Sequence, residues 1–352
     1  MKNQKYRYAT SNREKSIKQF LDSRKGKVLF SLLCVVLILV GSVLTVGGYF
    51  LSKIGYTPLS DFELASSIPP EEKDAGTEGI TNPDAMQFAS GDLKSDPNIK
   101  NILLIGSDTR GGEKYGRSDS MMLLSINSKT NQIKLVSFLR DMYVKINGMR
   151  DTRINASYAY GGPKLLIDTI QNNFRVKIDN YVTIDFQSFD KAVDILGGVS
   201  VTLTKAEVNE LNNHPDYFVT GNVQKVTVGV NHLSGSGALA YSRIRYIDSD
   251  FGRTGRQRKV ISAILSSLKH SNPAQLMSIA DSVLPLVKTD LDDSQIVALA
   301  TQASAILNND TQQLAIPVKG AYKSEKIRGM SVLVPDIEKN KAALWKFLYN
   351  IE

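Results

Sequence analysis

The chain has 352 residues, a net charge of +8 and a single cysteine, Cys34. One cysteine excludes an intrachain disulfide framework, and three isolated histidines exclude a Cys/His zinc site. The charge falls in separate blocks: nine basic and two acidic residues in 1–27, two basic and nine acidic residues in 54–97, and 31 basic and 24 acidic residues in 98–352. A basic block favours an anionic partner on each side of the acidic segment.

Residues 28–52 form an uncharged and mostly apolar segment. About 20 such residues suffice to cross the hydrocarbon core, and a helix satisfies all of their backbone polar groups. Because basic flanks stay in the cytoplasm, 1–27 is predicted to be a cytoplasmic tail and everything after the span to be extracytoplasmic. A cleaved signal peptide is the alternative, but the apolar and basic regions are both long and no small-x-small site closes the segment. The sequence therefore predicts a single-pass protein of the cell membrane.

The region outside the membrane divides in two. Residues 53–97 are rich in Pro, Ser, Gly, Asp and Glu, which is typical of a solvated linker. Residues 98–352 are long enough to bury a core without disulfides and are predicted to be the catalytic domain. This topology places the basic charge of the domain away from the chromosome, so DNA is excluded as its partner and an anionic substrate is favoured.

Apolar periodicity indicates alternating strands and helices along the domain. Gly197-Gly198 ends a short helix inside a β-α-β pattern over 181–203, and no internal repeat is present. The predicted strands are 101–107, 120–127, 132–139, 181–185, 199–203 and 313–318, with a hairpin across SKTN; the predicted helices include 161–174, 255–270, 273–287, 293–307 and a closing helix around Trp345. The pattern predicts one α/β domain with its sheet between layers of helices.

Two aspartates lie at the adjoining ends of two neighbouring predicted strands. Asp108 comes at the end of the first strand, in GSDTRGG, and Asp119 comes just before the second, in GRSDS. Carboxylates at adjacent strand ends can share one hard cation, and Mg²⁺ prefers such oxygen ligands together with substrate phosphates. The alternative is that both aspartates serve as turn or cap residues. The glycine-rich segment also resembles a phosphate loop, but no Gly-Lys-Ser/Thr follows, so it is not a Walker motif.

Arginine is concentrated in SRIRYIDSDFGRTGRQRK, where five arginines occur within 16 residues. Arginine binds phosphate in a bidentate manner and stays charged when buried. Arg243 and Arg245 alternate, so in an extended segment they would face the same way. Arg253 and Gln257 lie four apart at the start of a helix, and Gln257 shares the inward apolar face. Arg140, after a buried strand, is a further phosphate candidate; an exposed basic helix face is the alternative for the whole group.

Several motifs in a fixed order resemble the LytR-CpsA-Psr family. The resemblance covers roughly 98–270, and Thr289-Asp290-Leu291 with the following helices fits as well. Arg153 in DTRIN stands where many relatives have lysine. The matching segments are ILLIGSDTR, GRSDSMMLLS, SFLRDMYVKI, INASYAYGGP, DILGGVSV, ALAYSRIRY and DFGRTGRQRKVI.

The resemblance implies a three-layer α-β-α domain with a central mixed sheet and an apolar groove for a polyprenyl chain. It implies an enzyme that transfers a glycopolymer, such as teichoic acid or capsular polysaccharide, from a polyprenyl-pyrophosphate carrier to peptidoglycan. The reaction forms a phosphodiester and releases polyprenyl phosphate. A Gram-positive-type envelope is then expected. By the same resemblance, Asp108 and Asp119 are the Mg²⁺ ligands (Mn²⁺ being the alternative metal), the catalytic group also includes Arg117 and Arg140, and Arg243, Arg245, Arg253 and Gln257 bind the pyrophosphate.

Two other functions are alternatives, and the first would use the same residues. A lipid pyrophosphate hydrolase would use water as the acceptor, and acceptor dependence distinguishes it from a transferase. A non-enzymatic membrane-bound regulator of cell-envelope genes is the second alternative. The tail of about 27 residues is too short for a helix-turn-helix, so no nucleic-acid partner is expected.

Overall fold

The computed structural model describes residues 55–63, 85–108, 115–219, 223–269, 271 and 273–351. Its strands are β1 (Gly55–Tyr56), β2 (Ile99–Asp108), β3 (Arg117–Asn127), β4 (Gln132–Phe138), β5 (Tyr143–Val144), β6 (Thr152–Arg153), β7 (Asn180–Asp185), β8 (Val199–Leu203), β9 (Gly229–Leu233), β10 (Lys288–Thr289), β11 (Thr311–Ile316), β12 (Tyr322–Ile327) and β13 (Met330–Pro335). Its helices are α1 (Asn155–Phe174), α2 (Phe186–Ile195), α3 (Lys205–Asn213), α4 (Gly235–Arg243), α5 (Asp250–Leu268), α6 (Pro273–Val283), α7 (Asp293–Leu307) and α8 (Ile337–Tyr349), with short 3-10 turns between some of them.

The described residues form a mixed central sheet with the strand order β1-β10-β7-β2-β3-β4-β11. Strand β2 runs antiparallel to β3 and parallel to β7, and β11 runs parallel to β4. Three small antiparallel pairs, β5-β6, β8-β9 and β12-β13, surround this sheet. The chain is therefore a mixed α/β domain with a central mixed sheet, as the sequence predicts.

Alternating side chains of the sheet bury two separate apolar faces. Leu103 and Ile105 face a core that contains α1 and α8, whereas Ile102 and Leu104 face one that contains α5 and α7. Period-two alternation with apolar residues on both faces is what a sheet covered on both sides requires. Helices α2, α4 and α5 cover the second face near the ends of β2, β3 and β7, and this is where the candidate site lies.

Parts of the segment expected to be a solvated linker belong to the fold. Gly55–Tyr56 pairs with Lys288–Thr289 at the edge of the central sheet, and Phe62 packs against the main core. Further along, Ala89 is buried, and the backbone N–H of Lys94 donates to the carbonyl of Arg175 at 2.8 Å. The predicted start of the domain at residue 98 is too late, because short edge strands and single buried residues leave no periodic signal.

Three local predictions need correction. Val199–Leu203 pairs with Gly229–Leu233 in a separate small sheet, so the β-α-β pattern does not extend the central sheet. Helix α1 begins at Asn155 and only bends at Gly161-Gly162, where the sequence predicts its start. Arg243 is the last residue of a helix and not part of an extended segment. The strands predicted over 101–107, 120–127 and 132–139 are confirmed within a few residues.

The predicted cytoplasmic tail (1–27) and the predicted membrane span (28–52) lie outside the described residues. Among the residues that are described, no helix has both the length and the apolar character needed to cross a bilayer.

Candidate active site: an apolar cavity with an arginine-rich end

A cavity of about 360 Å³ lies between the sheet and helices α2, α4 and α5. Its walls are apolar: Leu104, Ile184, Phe189, Leu239, Val260 and Ile264 are among the residues that line them. The lining runs along one face of α5 from Gln257 to Leu268, a rise of about 16 Å at 1.5 Å per residue. The cavity is therefore an elongated apolar channel bounded by one helix face.

The two ends of the cavity differ in chemistry. At the polar end, Asp119 and Ser120 meet Arg243, Arg245, Arg253 and Gln257. At the opposite end, Ile279 and Val283 of α6 close the cavity together with Val287. An elongated cavity with charge confined to one end fits a ligand that has a long apolar tail and an anionic head.

Asp119 reaches the polar end because of a β-bulge between β2 and β3. Gly106 pairs with Ser120 and Ser107 pairs with Ser118, so Asp119 is the extra residue of the pair. A bulge re-aims a side chain that a regular strand would turn to the other face. Asp119 and Ser120 are consecutive, yet both line the cavity.

Two arginines contact the carboxylate of Asp119. Arg140 donates from Nη1 to Oδ1 at 2.9 Å, and Nη2 of Arg245 lies 3.5 Å from Oδ2. Arg140 follows β4 and Arg245 follows α4, so the bulge carboxylate joins two separate elements. The side chain of Arg245 is 44% exposed, so it borders solvent as well as the cavity.

Arg253, on the first turn of α5, is the most buried cation of the site at 2% exposure. Its Nε and Nη1 atoms have no hydrogen-bond partner among the described residues, and Nη2 has only an ion pair with Oδ1 of Asp250, at 3.1 Å. Burial, together with the positive charge of Arg140, lowers the pKa of Arg253 to about 10. A buried guanidinium with unused donors is costly unless an anion reaches it.

The other predicted pyrophosphate residues also line the cavity. Arg243 donates from Nη1 to the carbonyl of Tyr217 at 2.8 Å, and its guanidinium lies 5.3 Å from the ring centre of Phe186. Gln257 lies one turn after Arg253 on the same face of α5. The structure thus brings Asp119, Arg140, Arg243, Arg245, Arg253 and Gln257 to one end of the cavity.

Asp108 and Arg117 lie slightly apart from this group. They pair with each other across β2 and β3, directly beyond the bulge, and Arg117 is exposed. Neither lines the cavity. The segment 109–114 between them, which contains most of the glycine-rich loop, lies outside the described residues.

Sequence reasoning missed two acidic residues of the site, Asp141 and Asp250. Asp141 lies 3.5 Å from Nε of Arg140 and 3.5 Å from Nη1 of Arg153, and its carboxyl group hydrogen-bonds that of Asp250. Burial and this hydrogen bond raise the pKa of Asp141. Burial alone would raise the pKa of Asp250 too, but Asp141, Arg253 and Arg140 lower it. The sequence signal that could have identified Asp250 is its position three residues before Arg253 at the start of a helix, where the two side chains are neighbours.

Asp108 and Asp119 have oxygen donors only, which suits a hard cation. Among the described residues no three His, Cys, Asp or Glu side chains gather into a metal site. Mg²⁺ commonly takes one or two carboxylates and completes its shell with water and substrate phosphates. The carboxylate of Asp119 at the bulge, with Asp108 on the adjoining strand, fits such a partial site.

The family comparison agrees with this geometry. A model of the LytR_cpsA_psr family matches residues 71–346, which is most of the chain. The chain belongs to the LytR_cpsA_psr family. The resemblance noted from the motifs is therefore confirmed, and the match begins within the segment expected to be a linker.

Relatives of this chain include proteins whose names describe the transfer of a cell-wall polymer. The "Polyisoprenyl-teichoic acid--peptidoglycan teichoic acid transferase TagU" of Bacillus cereus is 32% identical over 313 residues, covering 86% of this chain and 91% of that protein. The crystal structure of B. subtilis TagV has a TM-score of 0.59 at 27% identity, covering 72% of this chain and 98% of TagV. TagT bound to LI-WTA has a TM-score of 0.59 at 25% identity, covering 81% of this chain and 98% of TagT.

Proposed function

We propose that this protein transfers a glycopolymer from a polyprenyl-pyrophosphate carrier to peptidoglycan, forming a phosphodiester and releasing polyprenyl phosphate. The observation that carries the proposal is Arg253, a buried guanidinium with unused donors at the polar end of an apolar cavity. A pyrophosphate head would satisfy these donors while its prenyl tail fills the channel. The relatives named as teichoic acid transferases support the same reaction class.

In this reaction a hydroxyl oxygen of peptidoglycan attacks the phosphorus that carries the glycopolymer. The bond from that phosphorus to the bridging oxygen breaks, and polyprenyl phosphate leaves with the electron pair. Phosphoryl transfer is catalysed mainly by positioning and charge neutralisation. Arg245 and Arg253 would neutralise the pyrophosphate, while Arg140 holds the carboxylate of Asp119 at 2.9 Å.

The proton of the attacking hydroxyl needs an acceptor. Asp119 lines the cavity mouth and Asp108 does not, so Asp119 is the better-placed base. Asp108 and Asp119 are also the residues that would hold Mg²⁺, or Mn²⁺ in its place. The ion would supply further neutralisation of phosphate charge. Removal of divalent ions with EDTA and re-addition of Mg²⁺ tests this part of the proposal.

Transfer is tested with a polyprenyl-pyrophosphate-linked sugar as donor and a soluble peptidoglycan oligomer as acceptor, using the full chain in detergent. Arg245→Ala is expected to lower the rate about a hundredfold, as does the loss of other preorganised charge contacts. Lys326→Ala removes an exposed cation of β12 and serves as the matched control. Retention of more than about a tenth of the rate by Arg245→Ala would refute the site.

The same assay separates transfer from hydrolysis. A transferase releases polyprenyl phosphate in proportion to the peptidoglycan acceptor, whereas a hydrolase releases it at the same rate without acceptor. Acceptor-independent release would replace the proposal with the hydrolase alternative.

We further propose that residues 28–52 anchor the protein in the cell membrane, with 1–27 inside and the catalytic domain outside. Support comes from the length of the uncharged segment and the nine basic residues before it. A carrier lipid is confined to the membrane, so an anchored enzyme would meet it by lateral diffusion. Reporter fusions after residues 20 and 100 test the topology; activity of an extracytoplasmic reporter at residue 20 would contradict it.

A further inference from the structure

Two aspartates, Asp248 in the turn before α5 and Asp250 at its first position, pair with two buried arginines of its first turns. Asp248 accepts two hydrogen bonds from Arg256, at 2.7 and 2.9 Å, and Arg256 also donates to the carbonyl of Ile244 at 2.8 Å. Asp250 forms the ion pair with Arg253. The two arginines are almost equally buried, at 3% and 2% exposure, but only Arg253 lines the cavity. The Asp248–Arg256 pair therefore lies away from the cavity, whereas the Asp250–Arg253 pair borders it.

Asp250 also reaches a cation from a different element. The oxygen that faces Arg253, Oδ1, lies 3.9 Å from Nε of Arg140, which follows β4. The like charges of Arg140 and Arg253 repel each other, and the carboxylate of Asp250 lies between them. Neither arginine can turn away from the cavity without lengthening a contact to Asp250. The relative orientation of the two guanidinium groups therefore depends on this carboxylate.

Asp141 contacts the same arginine from another side. Its Oδ2 atom lies 3.5 Å from Nε of Arg140, and its Oδ1 atom lies 3.5 Å from Nη1 of Arg153. Burial raises the pKa of Asp141, whereas Asp141, Arg253, Arg140 and Arg245 together lower the pKa of Asp250. The negative charge is therefore favoured on Asp250, the carboxylate that contacts both Arg140 and Arg253.

We propose that Asp250 is a positioning residue, whose carboxylate holds the guanidinium groups of Arg140 and Arg253 in the arrangement that binds the pyrophosphate. Asp250 does not need to touch the substrate; it acts through the two arginines. This role rests on the proposed function, because it presupposes a pyrophosphate ligand at this end of the cavity.

The test compares Asp250→Asn with Asp248→Asn, which removes the charge from the neighbouring pair that lies outside the site. Binding of geranylgeranyl pyrophosphate to the full chain in detergent is measured by calorimetry, and kcat and KM by the transfer assay. We expect Asp250→Asn to weaken binding at least about tenfold and to lower kcat/KM by up to about a hundredfold, as misplaced binding groups do. Asp248→Asn should lower the melting temperature more and change binding less than about threefold.

Two further variants separate charge from shape. Asp250→Glu keeps the negative charge and is expected to recover most of the affinity that Asp250→Asn loses. Asp141 contacts Arg140 at 3.5 Å but not Arg253, so Asp141→Asn should retain at least about fivefold more affinity than Asp250→Asn. A purely structural role of Asp250 would instead make affinity follow the melting temperature through all four variants.

The outcomes distinguish this inference from the proposed function. If Asp250→Asn binds geranylgeranyl pyrophosphate as the wild type does, the positioning role is wrong even where transfer is observed. If the wild type binds the probe but transfers nothing, the transferase proposal fails, and the binding series alone decides the role of Asp250. If the wild type does not bind the probe at all, both are overturned.

Discussion

Replacing Arg253 with methionine should stabilise the ligand-free protein while weakening its binding of a prenyl pyrophosphate. Arg253 is 2% exposed, and its Nε and Nη1 atoms have no hydrogen-bond partner among the described residues. Methionine has a similar length, fits irregular apolar space and brings no donors. The substitution therefore removes a buried charge without leaving a large void.

The pKa of Arg253 gives the size of the effect. The fall of its pKa to about 10 corresponds to about 3 kcal/mol of unfavourable free energy for the charged form in the folded state. Since the folded-state pKa lies below the unfolded-state pKa, this cost is fully present below about pH 10 and is lost only as the pH rises through the unfolded-state pKa. The favourable contact with Asp250 is already included in this pKa. A net gain of about 3 kcal/mol would raise the melting temperature by about 6 °C.

The assay is thermal unfolding of the full chain in detergent at pH 7, with calorimetric binding of geranylgeranyl pyrophosphate. Loss of a hydrogen bond to a charged group should weaken binding about 10- to 100-fold. Arg256→Met is the matched control, because Arg256 is equally buried but both of its Nη atoms donate to Asp248, and Nη2 also donates to the carbonyl of Ile244. Loss of these charge-assisted hydrogen bonds should lower stability by about 1–3 kcal/mol and leave binding nearly unchanged. A lower melting temperature for Arg253→Met than for wild type would refute the reasoning.

Three other predictions concern the cavity and the core beside it. Ile264→Trp narrows the channel and should weaken calorimetric binding of geranylgeranyl pyrophosphate at least about tenfold; equal weakening for inorganic pyrophosphate would contradict a tail-specific effect. Gly162→Ala should lower the free energy of unfolding, measured in urea, by about 2 kcal/mol. Gly162 has a φ of 60°, and an added Cβ would lie 2.7 Å from the ring of Phe62. An unchanged urea midpoint of unfolding would be inconsistent with this contact. Amide exchange in α6, whose Ile279 and Val283 line the far end of the cavity, should slow on binding of geranylgeranyl pyrophosphate but not of inorganic pyrophosphate.

Local sequence patterns were sufficient to predict five of the seven strands of the central sheet, β2, β3, β4, β7 and β11, and one face of α5. Residues 99–138 alternate strongly enough to specify β2, β3 and β4, and the SKTN turn fixes the hairpin between the last two. The four-residue spacing of Arg253 and Gln257 correctly placed both side chains on the cavity face of a helix. These features depend on residues close in sequence, so periodicity captures them.

Features that depend on contacts distant in sequence could not be predicted in the same way. Gly55–Tyr56 is too short to carry a period and becomes a strand only because Lys288–Thr289 offers an edge. The position of Asp119 depends on one extra residue in β3 relative to β2, which neither strand shows alone. Asp141 and Asp250 are more than a hundred residues apart, so their hydrogen bond was not visible from either motif.

The site gathers its cations from separate elements, and this explains why its arginines remain incompletely paired. Arg140 follows a strand, Arg245 follows α4 and Arg253 opens α5, so the fold holds three like charges near one cavity mouth. Asp119, Asp141 and Asp250 offset much of the repulsion, but Arg153 and Arg243 add further positive charge to the same region. The remaining excess of positive charge is unfavourable in the empty protein and becomes favourable when a pyrophosphate enters. A purely structural ion-pair network would have no reason to leave donors of Arg253 unused, whereas a preorganised anion site requires it.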